Sequence, residues 1–378
     1  MSVFNAAEGI FGSPKENMTC DVLIIGGGLL GCLTAYFLTG SGLSAVLCEK
    51  NSIASGAASR INGIFGDGNF SKIYLEHKEK LPEVIAETDS LISTLENASR
   101  TVFDHTFGRC DLFIFTDSRR FSESEKVKRE YRLRKYYGSD CEFQSAEAAM
   151  DGFSFDISKG VYIKKGACEI NPVNFCKKAA SYVSVNGTDV FEDTEIGEVN
   201  ASNGVFSAKT PEGIVFEAKT VIDCRGGKDR PPCPGKFRKK AVFTAVTFPV
   251  STFAGWQNRC IIKDFYKNSI SLRTDESDRI IMTLSCDVFF IKNIGNIISR
   301  IVFGYMEELL RSMFFGISGI KFAETDCRIV YESKQFTFEE DATLPGFFYP
   351  TAPDAGILQT VKAASDISRL LKQRLETG

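Results

Sequence analysis

The residues best suited to bind a charged ligand are three glycines and one glutamate near the start of the chain. Gly26, Gly28 and Gly31 follow the apolar run 22–25 in a G-x-G-x-x-G pattern, and Glu49 ends the next apolar run. In this pattern the first glycine permits a sharp turn, the second lets a pyrophosphate approach the backbone, and the third lets a helix pack closely on a sheet. A carboxylate at the tip of the second strand can accept both hydroxyls of an adenosine ribose. The pattern therefore predicts a dinucleotide site.

The secondary structure around these glycines must position them. Residues 22–25 and 45–48 are predicted to be buried strands, and residues 29–39 a helix that Gly40 and Gly42 end. The helix N-terminus then offers unpaired N–H groups to phosphates. The uncharged stretch 22–48 raises the alternative of a membrane span, but its glycines and flanking carboxylates favour a buried βαβ unit.

Composition excludes several other classes of protein. The 378-residue chain has a net charge of −3, which gives no electrostatic basis for nucleic-acid binding. Twelve cysteines contain no C-x-x-C pair, and two histidines make a structural zinc site improbable, so no metal is expected. The first 20 residues lack the basic start and apolar core of a secretory signal. A cytoplasmic protein with reduced thiols is therefore expected.

The rest of the chain suggests several further functional segments. Residues 1–17 are interpreted as a loosely attached polar leader, and the Gly/Ser/Asn-rich stretch 51–70 as a functional loop. A second strand followed by glycines, 220–227, predicts another close approach to the backbone. The basic, proline-rich segment 228–240 is a candidate domain boundary. His77 and His105 are the two imidazoles.

The ordered set of motifs resembles the D-amino-acid oxidase superfamily of FAD-dependent oxidoreductases, which includes glycine oxidase, sarcosine oxidase and γ-glutamylputrescine oxidoreductase. The similar segments run from residue 21 to residue 371. They are DVLIIGGGLLG with LCEK, GAASRINGIFG, VIDCRGG, ISLRTDESDRIIMT and DAGILQTVKAASDISRLL. The sequence departs from the family pattern at Ala58, where the family has serine, and before the final helix, where the family's tryptophan is absent.

The resemblance implies an FAD site, assigned position by position. The pyrophosphate segment comprises Gly26, Gly27, Gly28, Leu29, Leu30 and Gly31. The adenosine end comprises Glu49, Lys50 and Ile196, whose backbone would pair with adenine. The segment along the pyrophosphate and ribityl chain comprises Ala58, Ser59, Asn62 and Gly63, with Cys224 and Gly226 lining the same crevice. The pyrimidine edge of the flavin would meet Asp354, Gly356, Ile357 and Leu358.

The resemblance also implies a substrate-binding arginine. Arg273 matches the position at which glycine oxidase-like members bind a substrate carboxylate, a task suited to a guanidinium. The alternative, an ordinary charge at a strand end, stays open. No catalytic acid or base is assigned.

The implied function is an FAD-dependent oxidase or dehydrogenase that transfers a hydride from the C–N bond of an amine or amino acid to flavin N5, giving an imine. One alternative is FAD-dependent oxidation of a 2-hydroxyacid or another C–OH substrate. A second is a flavin-binding protein or subunit with little activity of its own. The second glycine turn favours FAD over NAD. Oxygen, a quinone or a redox partner protein would accept the electrons, with no nucleic acid and no transmembrane span involved.

The implied fold class is α/β. A Rossmann-like FAD-binding domain, with a central parallel sheet, helices and a β-meander, would be interleaved with an α+β substrate domain containing an antiparallel sheet. The FAD-binding domain is predicted to comprise residues 18–75, 150–235 and 325–378. Residues 76–149 and 236–324 would form the substrate-binding domain, and residues 1–17 the leader.

Overall fold

The structure is a computed structural model of the 378-residue chain. It describes residues 9–66, 68–117, 124–226, 238–265, 270–287, 296–314, 320–332, 336–352 and 354–377. Most of the predicted boundary segment 228–240 lies outside the described residues.

Within the described ranges, seventeen strands form two sheets. In chain order they are β1 (Met18–Ile25), β2 (Ala45–Cys48), β3 (Ile64–Phe65), β4 (Gly108–Thr116), β5 (Cys141–Ser145), β6 (Lys159–Glu169), β7 (Thr188–Phe191), β8 (Val199–Ser202), β9 (Val205–Lys209), β10 (Val215–Asp223), β11 (Arg238–Thr247), β12 (Ile261–Asp264), β13 (Ile270–Thr274), β14 (Ile280–Asp287), β15 (Phe322–Glu332), β16 (Phe338–Glu340) and β17 (Phe347–Pro350).

Eight α-helices connect or cover these strands in the described residues. They are α1 (Leu29–Leu38), α2 (Phe70–His77), α3 (Leu81–Thr101), α4 (Ser124–Tyr136), α5 (Ala146–Ala149), α6 (Pro172–Val185), α7 (Asn296–Met313) and α8 (Ile357–Thr377).

The first sheet is built around β1. Its strand order is β16-β17-β10-β1-β2-β7, and the strands from β17 to β7 run parallel. β1 ends in a buried apolar run because both faces of the sheet are covered. Val22 and Ile24 pack with α1, α6 and α8, whereas Leu23 and Ile25 pack with the β8–β9 meander. This three-layer arrangement is the predicted FAD-binding architecture.

The second sheet has the order β15-β11-β14-β13-β12-β4-β6-β3, with β5 on β6, and is antiparallel apart from the β4–β12 pair. Because side chains alternate along a strand, its two faces differ. Phe243, Met282 and Leu272 pack with α7 in an apolar cluster. On the opposite face Val246 and Ile281 join the core of the first sheet. We call this opposite face the inner face, since it is directed towards the predicted FAD-binding domain.

The predicted fold class is confirmed: α/β, with one parallel and one antiparallel sheet. The strand pairing differs in detail from the predicted division of the chain. β3, β6 and β15 lie in or largely in ranges predicted for the FAD-binding domain, yet all three pair within the second sheet. The boundaries between the two domains stay a prediction.

The prediction of a loosely attached leader is wrong for its described part. The fully buried Glu192 carboxylate accepts hydrogen bonds from the backbone N–H groups of Ile10 and Phe11, the latter at 2.7 Å. The Asn17 side chain accepts one from the backbone of Val215 at 2.9 Å. These polar partners attach residues 10–17 although the segment carries few apolar side chains.

None of the described helices has the length and apolar character needed to cross a membrane. The uncharged stretch 22–48 forms the buried β1–α1–β2 unit instead.

Candidate active site

The parallel strands bring the predicted cofactor residues to one edge. Ile25, the last residue of β1, is level with Cys48 on β2 and Asp223 on β10. Gly26, Glu49 and Cys224, which follow these three residues, therefore meet at the carboxyl end of the sheet. β2 lies on one side of β1 and β10 on the other, so the crevice is at the point where the strand order reverses. Open parallel sheets bind ligands at this point.

The glycine turn has the geometry of a phosphate-binding loop. Gly26 has a φ of +109°, a left-handed backbone conformation that favours glycine. A Cβ on Gly31 would lie 1.9 Å from the carbonyl oxygen of Gly26, so only glycine permits this packing of α1. A Cβ on Gly28, the N-cap of α1, would meet no protein atom within 4 Å. This combination of close packing behind the loop and open space in front of it fits a pyrophosphate.

Glu49 is held in place at the adjacent strand tip. One of its carboxylate oxygens accepts from the backbone N–H of Gly27 at 2.7 Å, and the other accepts from the N–H of Asn51 at 3.0 Å. Each carboxylate oxygen can accept a further hydrogen bond, which fits a pair of ribose hydroxyls. Lys50 beside it is exposed. Leu29 and Leu30 form the first turn of α1 and pack partly on the core.

The predicted adenine end also contains a basic side chain to which the family resemblance gave no role. Arg225 forms an ion pair with the buried Asp223 at 2.9 Å and donates from Nη1 to the carbonyl oxygen of Ile196 at 3.2 Å. The backbone acceptor of Ile196 is thus already hydrogen-bonded to the protein. Gly226, the next residue of this turn, is exposed. The pairing of Ile196 with adenine stays a prediction.

The second glycine-containing segment connects the two sheets. Ala58 and Ser59 are buried in a short 3₁₀ turn, Ala57–Arg60. The Asn62 amide donates to the hydroxyls of Ser271 and Thr283, both at 3.0 Å, so this segment lies against the inner face. Gly63 has a φ of +72°, and a Cβ there would lie 2.0 Å from the carbonyl oxygen of Ile170. The backbone of this segment is therefore closely packed and is confined to one path.

Arg273 fixes this path. Its side chain is 5% exposed, donates from Nε to the Asn62 carbonyl oxygen at 2.6 Å, and pairs with Glu169 at 3.0 Å. Nη1 also donates to the carbonyl oxygen of Thr274 at 3.3 Å. Through these contacts Arg273 holds the second glycine-containing segment in position. Its predicted contact with a substrate carboxylate stays a prediction.

The N-terminus of α8 follows β17, which pairs with β10 on the side away from β1. Asp354 precedes this helix and accepts from the backbone N–H of Tyr331 at 3.0 Å. Burial raises the pKa of the Asp354 carboxyl, while the Tyr331 N–H and the charge of Arg328 lower it. Gly356 N–H is capped by the Gln359 side chain at 3.1 Å, and Ile357 and Leu358 begin the helix. The first N–H groups of a helix favour negative charge in front of them.

The sequence analysis did not single out two charged residues of β15, Asp326 and Arg328. The Nε atom of Arg328 and one oxygen of Asp326 are both buried and hydrogen-bond to nothing among the described residues. Burial lowers the pKa of Arg328, whereas the charges of Asp354 and Asp326 raise it and that of Arg60 lowers it. The signal was present: in TDCRIVY, two charged residues alternate with apolar ones inside a strand.

Other candidate groups lie away from this crevice or are unreactive. His77 and His105 are both exposed, at the ends of α2 and α3. Burial raises the pKa of Cys20 to about 12 and that of Cys327 to about 11, so these thiols are weak nucleophiles. Within the described ranges, no three His, Cys, Asp or Glu side chains are grouped to hold a metal ion. Tyr266, a weaker candidate from the sequence for the wall of the substrate pocket, lies outside the described residues.

One family model matches most of this chain. The sequence model of the family described as "FAD dependent oxidoreductase" matches residues 21–336, well over half of the chain. The γ-glutamylputrescine oxidoreductase of Escherichia coli (strain K12) is 24% identical over 219 residues. That stretch covers 56% of this chain and 50% of the relative, so the match spans about half of the relative's length.

Solved structures share the fold over nearly the whole chain. The L-amino acid deaminase from Proteus vulgaris superimposes with a TM-score of 0.71 at 15% identity, covering 96% of both chains. The glycine oxidase from Geobacillus kaustophilus superimposes with a TM-score of 0.68 at 14% identity, covering 94% of this chain and 95% of the other. At these identities the similarity establishes the shared fold.

Proposed function

The chain belongs to the FAD dependent oxidoreductase family, and we propose that its reaction is the oxidation of a C–N bond in an amine or amino acid. FAD is the cofactor of this family. The observation that carries the proposal is the joining of two surfaces in one crevice. The open space in front of Gly28 suits the phosphates of the cofactor, and the inner face of the second sheet supplies polar side chains beside it.

The proposed reaction removes a hydride from the substrate carbon and a proton from its nitrogen. The substrate becomes an imine, which water hydrolyses to a carbonyl compound and ammonia or an amine. When bound, FAD supplies the hydride acceptor, N5 of the flavin. Oxygen, a quinone or a redox partner protein would then accept the electrons.

The residues of this chain would bind and orient the two reactants. Gly28 and the N-terminus of α1 hold the phosphates, and Glu49 holds the ribose. Arg273 and Asn62 fix the second segment between the cofactor and the inner face. The start of α8 favours negative charge at the far end of the crevice. Orientation of this kind accounts for much of the rate enhancement that enzymes achieve without covalent catalysis.

The absence of a histidine from the crevice supports a C–N substrate over a C–OH substrate. Alcohol oxidation requires a base to remove the hydroxyl proton. Both imidazoles, His77 and His105, are exposed on the surface. An amine that binds in its neutral form needs no such base. The alternative of a flavin-binding subunit with little activity is motivated by the departure from the family pattern before the final helix, and an activity assay decides it.

Matched pairs of substrates test the proposal. Purified holoenzyme is incubated with an amino acid and with the 2-hydroxyacid of the same carbon skeleton, using an artificial electron acceptor so that the natural acceptor need not be known. We expect equal amounts of keto acid and ammonia from at least one amino acid, and no keto acid from its hydroxyacid partner. Faster oxidation of the hydroxyacid would contradict the proposal.

A further inference from the structure

The carboxylate of Glu192 is a buried charge that accepts hydrogen bonds from two separate segments of the chain. Glu192 directly follows β7 and is fully buried. One of its carboxylate oxygens accepts from the backbone N–H groups of Ile10 and Phe11, the latter at 2.7 Å. The other oxygen accepts from the backbone N–H of Ile53 at 2.6 Å. Because a buried carboxylate is costly unless hydrogen bonds replace its hydration, these N–H groups stabilise the charge jointly.

The turn that contains Ile53 packs against the phosphate-binding loop. The Ala54 N–H donates to the carbonyl oxygen of Gly27 at 3.0 Å, and the buried Ile53 side chain takes the space in which a Cβ of Gly27 would lie. The Gly27 N–H in turn donates to Glu49, the predicted ribose ligand, at 2.7 Å. Ala54 has a φ of +65°, a left-handed conformation that persists only where surrounding contacts hold it. The position of this turn therefore depends on its hydrogen-bond partners.

Residues 9–13, which we call the strap, lie directly against the Glu192 carboxylate. A Cβ on Gly9 would be 2.7 Å from one of the carboxylate oxygens. Phe11 packs on the core that α1 and α6 form with the first sheet. The side chain of Ile10 is 58% exposed, so this residue contributes mainly through its N–H.

We infer that the strap sets the affinity for FAD, because Glu192 couples it to the turn behind the phosphate-binding loop. The inference rests on the proposed function, which places the cofactor phosphates in front of Gly28. If the strap detaches, the carboxylate loses two of its three N–H donors and gains hydration, which weakens its hold on Ile53. The turn then supports Gly27 less firmly, and the loop is less preorganised for the cofactor. Glu192 is thus a positioning residue.

A proline at position 10 tests this coupling in the whole chain. Ile10→Pro removes the N–H that donates to Glu192, whereas the matched control Ile10→Ala keeps it and shortens only an exposed side chain. Titration of the apoprotein with FAD, followed by flavin fluorescence, gives the dissociation constant. Ile10→Pro should bind FAD about fivefold or more weakly, and Ile10→Ala should bind it like wild type. The affinity for ADP, which lacks the flavin, should fall by the same factor in Ile10→Pro.

Two further measurements separate positioning from a general loss of stability. Hydrogen exchange of the apoprotein at residues 49–54 should be faster in Ile10→Pro, while exchange in α7, on the face of the second sheet opposite the inner face, should not change. Because coupling is reciprocal, FAD should slow exchange at residues 10–13 of the wild-type protein. Glu192→Gln, which replaces one acceptor oxygen by a donor, should also weaken FAD binding. Ile10→Pro covers the case in which Glu192→Gln fails to fold.

Wild-type FAD affinity in Ile10→Pro would overturn the inference, as would a loss of affinity without faster exchange at residues 49–54. Gly28→Ala tests the position of the cofactor separately. If Gly28→Ala weakens FAD binding and Ile10→Pro does not, the strap has no such role while the proposed site stands. If neither substitution weakens it, the phosphates do not lie at this turn and the proposed site fails together with the inference. Both results are independent of which substrate the holoenzyme oxidises.

Discussion

Arg273 illustrates how a residue's surroundings decide its role. A guanidinium at this position of the sequence suits a substrate carboxylate, but here its donors are engaged by the Asn62 carbonyl oxygen and by Glu169. Removing one partner of a buried ion pair leaves the other charge without compensation, which is more costly than the loss of an exposed pair. Arg273 therefore contributes first to the position of the second segment.

The variant Arg273→Gln should lower the free energy of unfolding by about 3 kcal/mol, because Glu169 and the Asn62 carbonyl oxygen lose their donor. Chemical denaturation of the apoprotein measures this change. Arg100→Gln, which removes an exposed pair with Glu96, should leave the denaturation midpoint unchanged. An Arg273→Gln protein as stable as wild type would show that the pair does not fix this loop.

Asp354 is expected to make stability depend on pH. Burial raises the pKa of its carboxyl in the folded state, so the folded protein favours the protonated form. The stabilisation is complete below the ordinary pKa of about 3.8 and is lost as the pH rises through the folded-state value. Asp354→Asn, which keeps an acceptor for Tyr331 N–H, should thus gain stability relative to wild type as the pH rises from about 4 to 7.

Thermal melts of the apoprotein across this pH range test the sign. Asp21 is the matched control, because its hydrogen bond from Lys219 at 2.8 Å lowers its pKa. Its stabilisation is present above the ordinary pKa and is lost as the pH falls through the folded-state value. Asp21→Asn should therefore be less stable than wild type by a nearly constant amount over the same rise in pH, because its own transition lies below about pH 4. Equal trends for the two variants would contradict the assignment for Asp354.

At the scale of the elements, the β1–α1–β2 unit has two kinds of glycine. Gly31 allows α1 to pack against the turn, whereas Gly28 has open space in front of it. Gly31→Ala should lower the free energy of unfolding by about 2 kcal/mol through steric overlap with Gly26. Gly28→Ala should leave the stability of the apoprotein unchanged, because its φ of −78° suits alanine.

FAD affinity separates the two substitutions further. Because a methyl group on Gly28 would take the space of the pyrophosphate, Gly28→Ala should weaken FAD binding by about tenfold or more. Titration of the apoprotein followed by flavin fluorescence measures this affinity. If Gly28→Ala bound FAD as tightly as wild type, the pyrophosphate would not lie at this turn.

The same unit shows why part of the site was predictable from sequence. Strand, turn and helix follow one another within 30 residues, and their apolar periods and glycines are local signals. The alternation of charged and apolar residues around Arg328 is a weaker signal, and the face on which Arg328 lies depends on the pairing of β15 with β11 and on which face is covered by α7. The docking of residues 10–17 likewise depends on Glu192, a side chain distant in sequence. Local pattern does not encode these long-range contacts.

At the scale of the whole molecule, the predicted cofactor residues of the parallel sheet lie beside the inner face of the second sheet. The parallel sheet presents the glycine turn and Glu49, as family membership leads one to expect. The inner face of the second sheet presents a charged pair on β15, close to the start of α8. The two sheets share a core through Val246 and Ile281, so their relative position is set by packing.

Anaerobic mixing of the purified holoenzyme with a panel of amines and amino acids tests C–N oxidation most directly. Without an acceptor, hydride transfer from a substrate bleaches the visible absorption of the flavin, and dithionite provides the fully reduced reference. We expect at least one amino acid to bleach the flavin and its 2-hydroxyacid analogue to leave it oxidised. A flavin that dithionite reduces but that no amine or amino acid bleaches would contradict the proposed function.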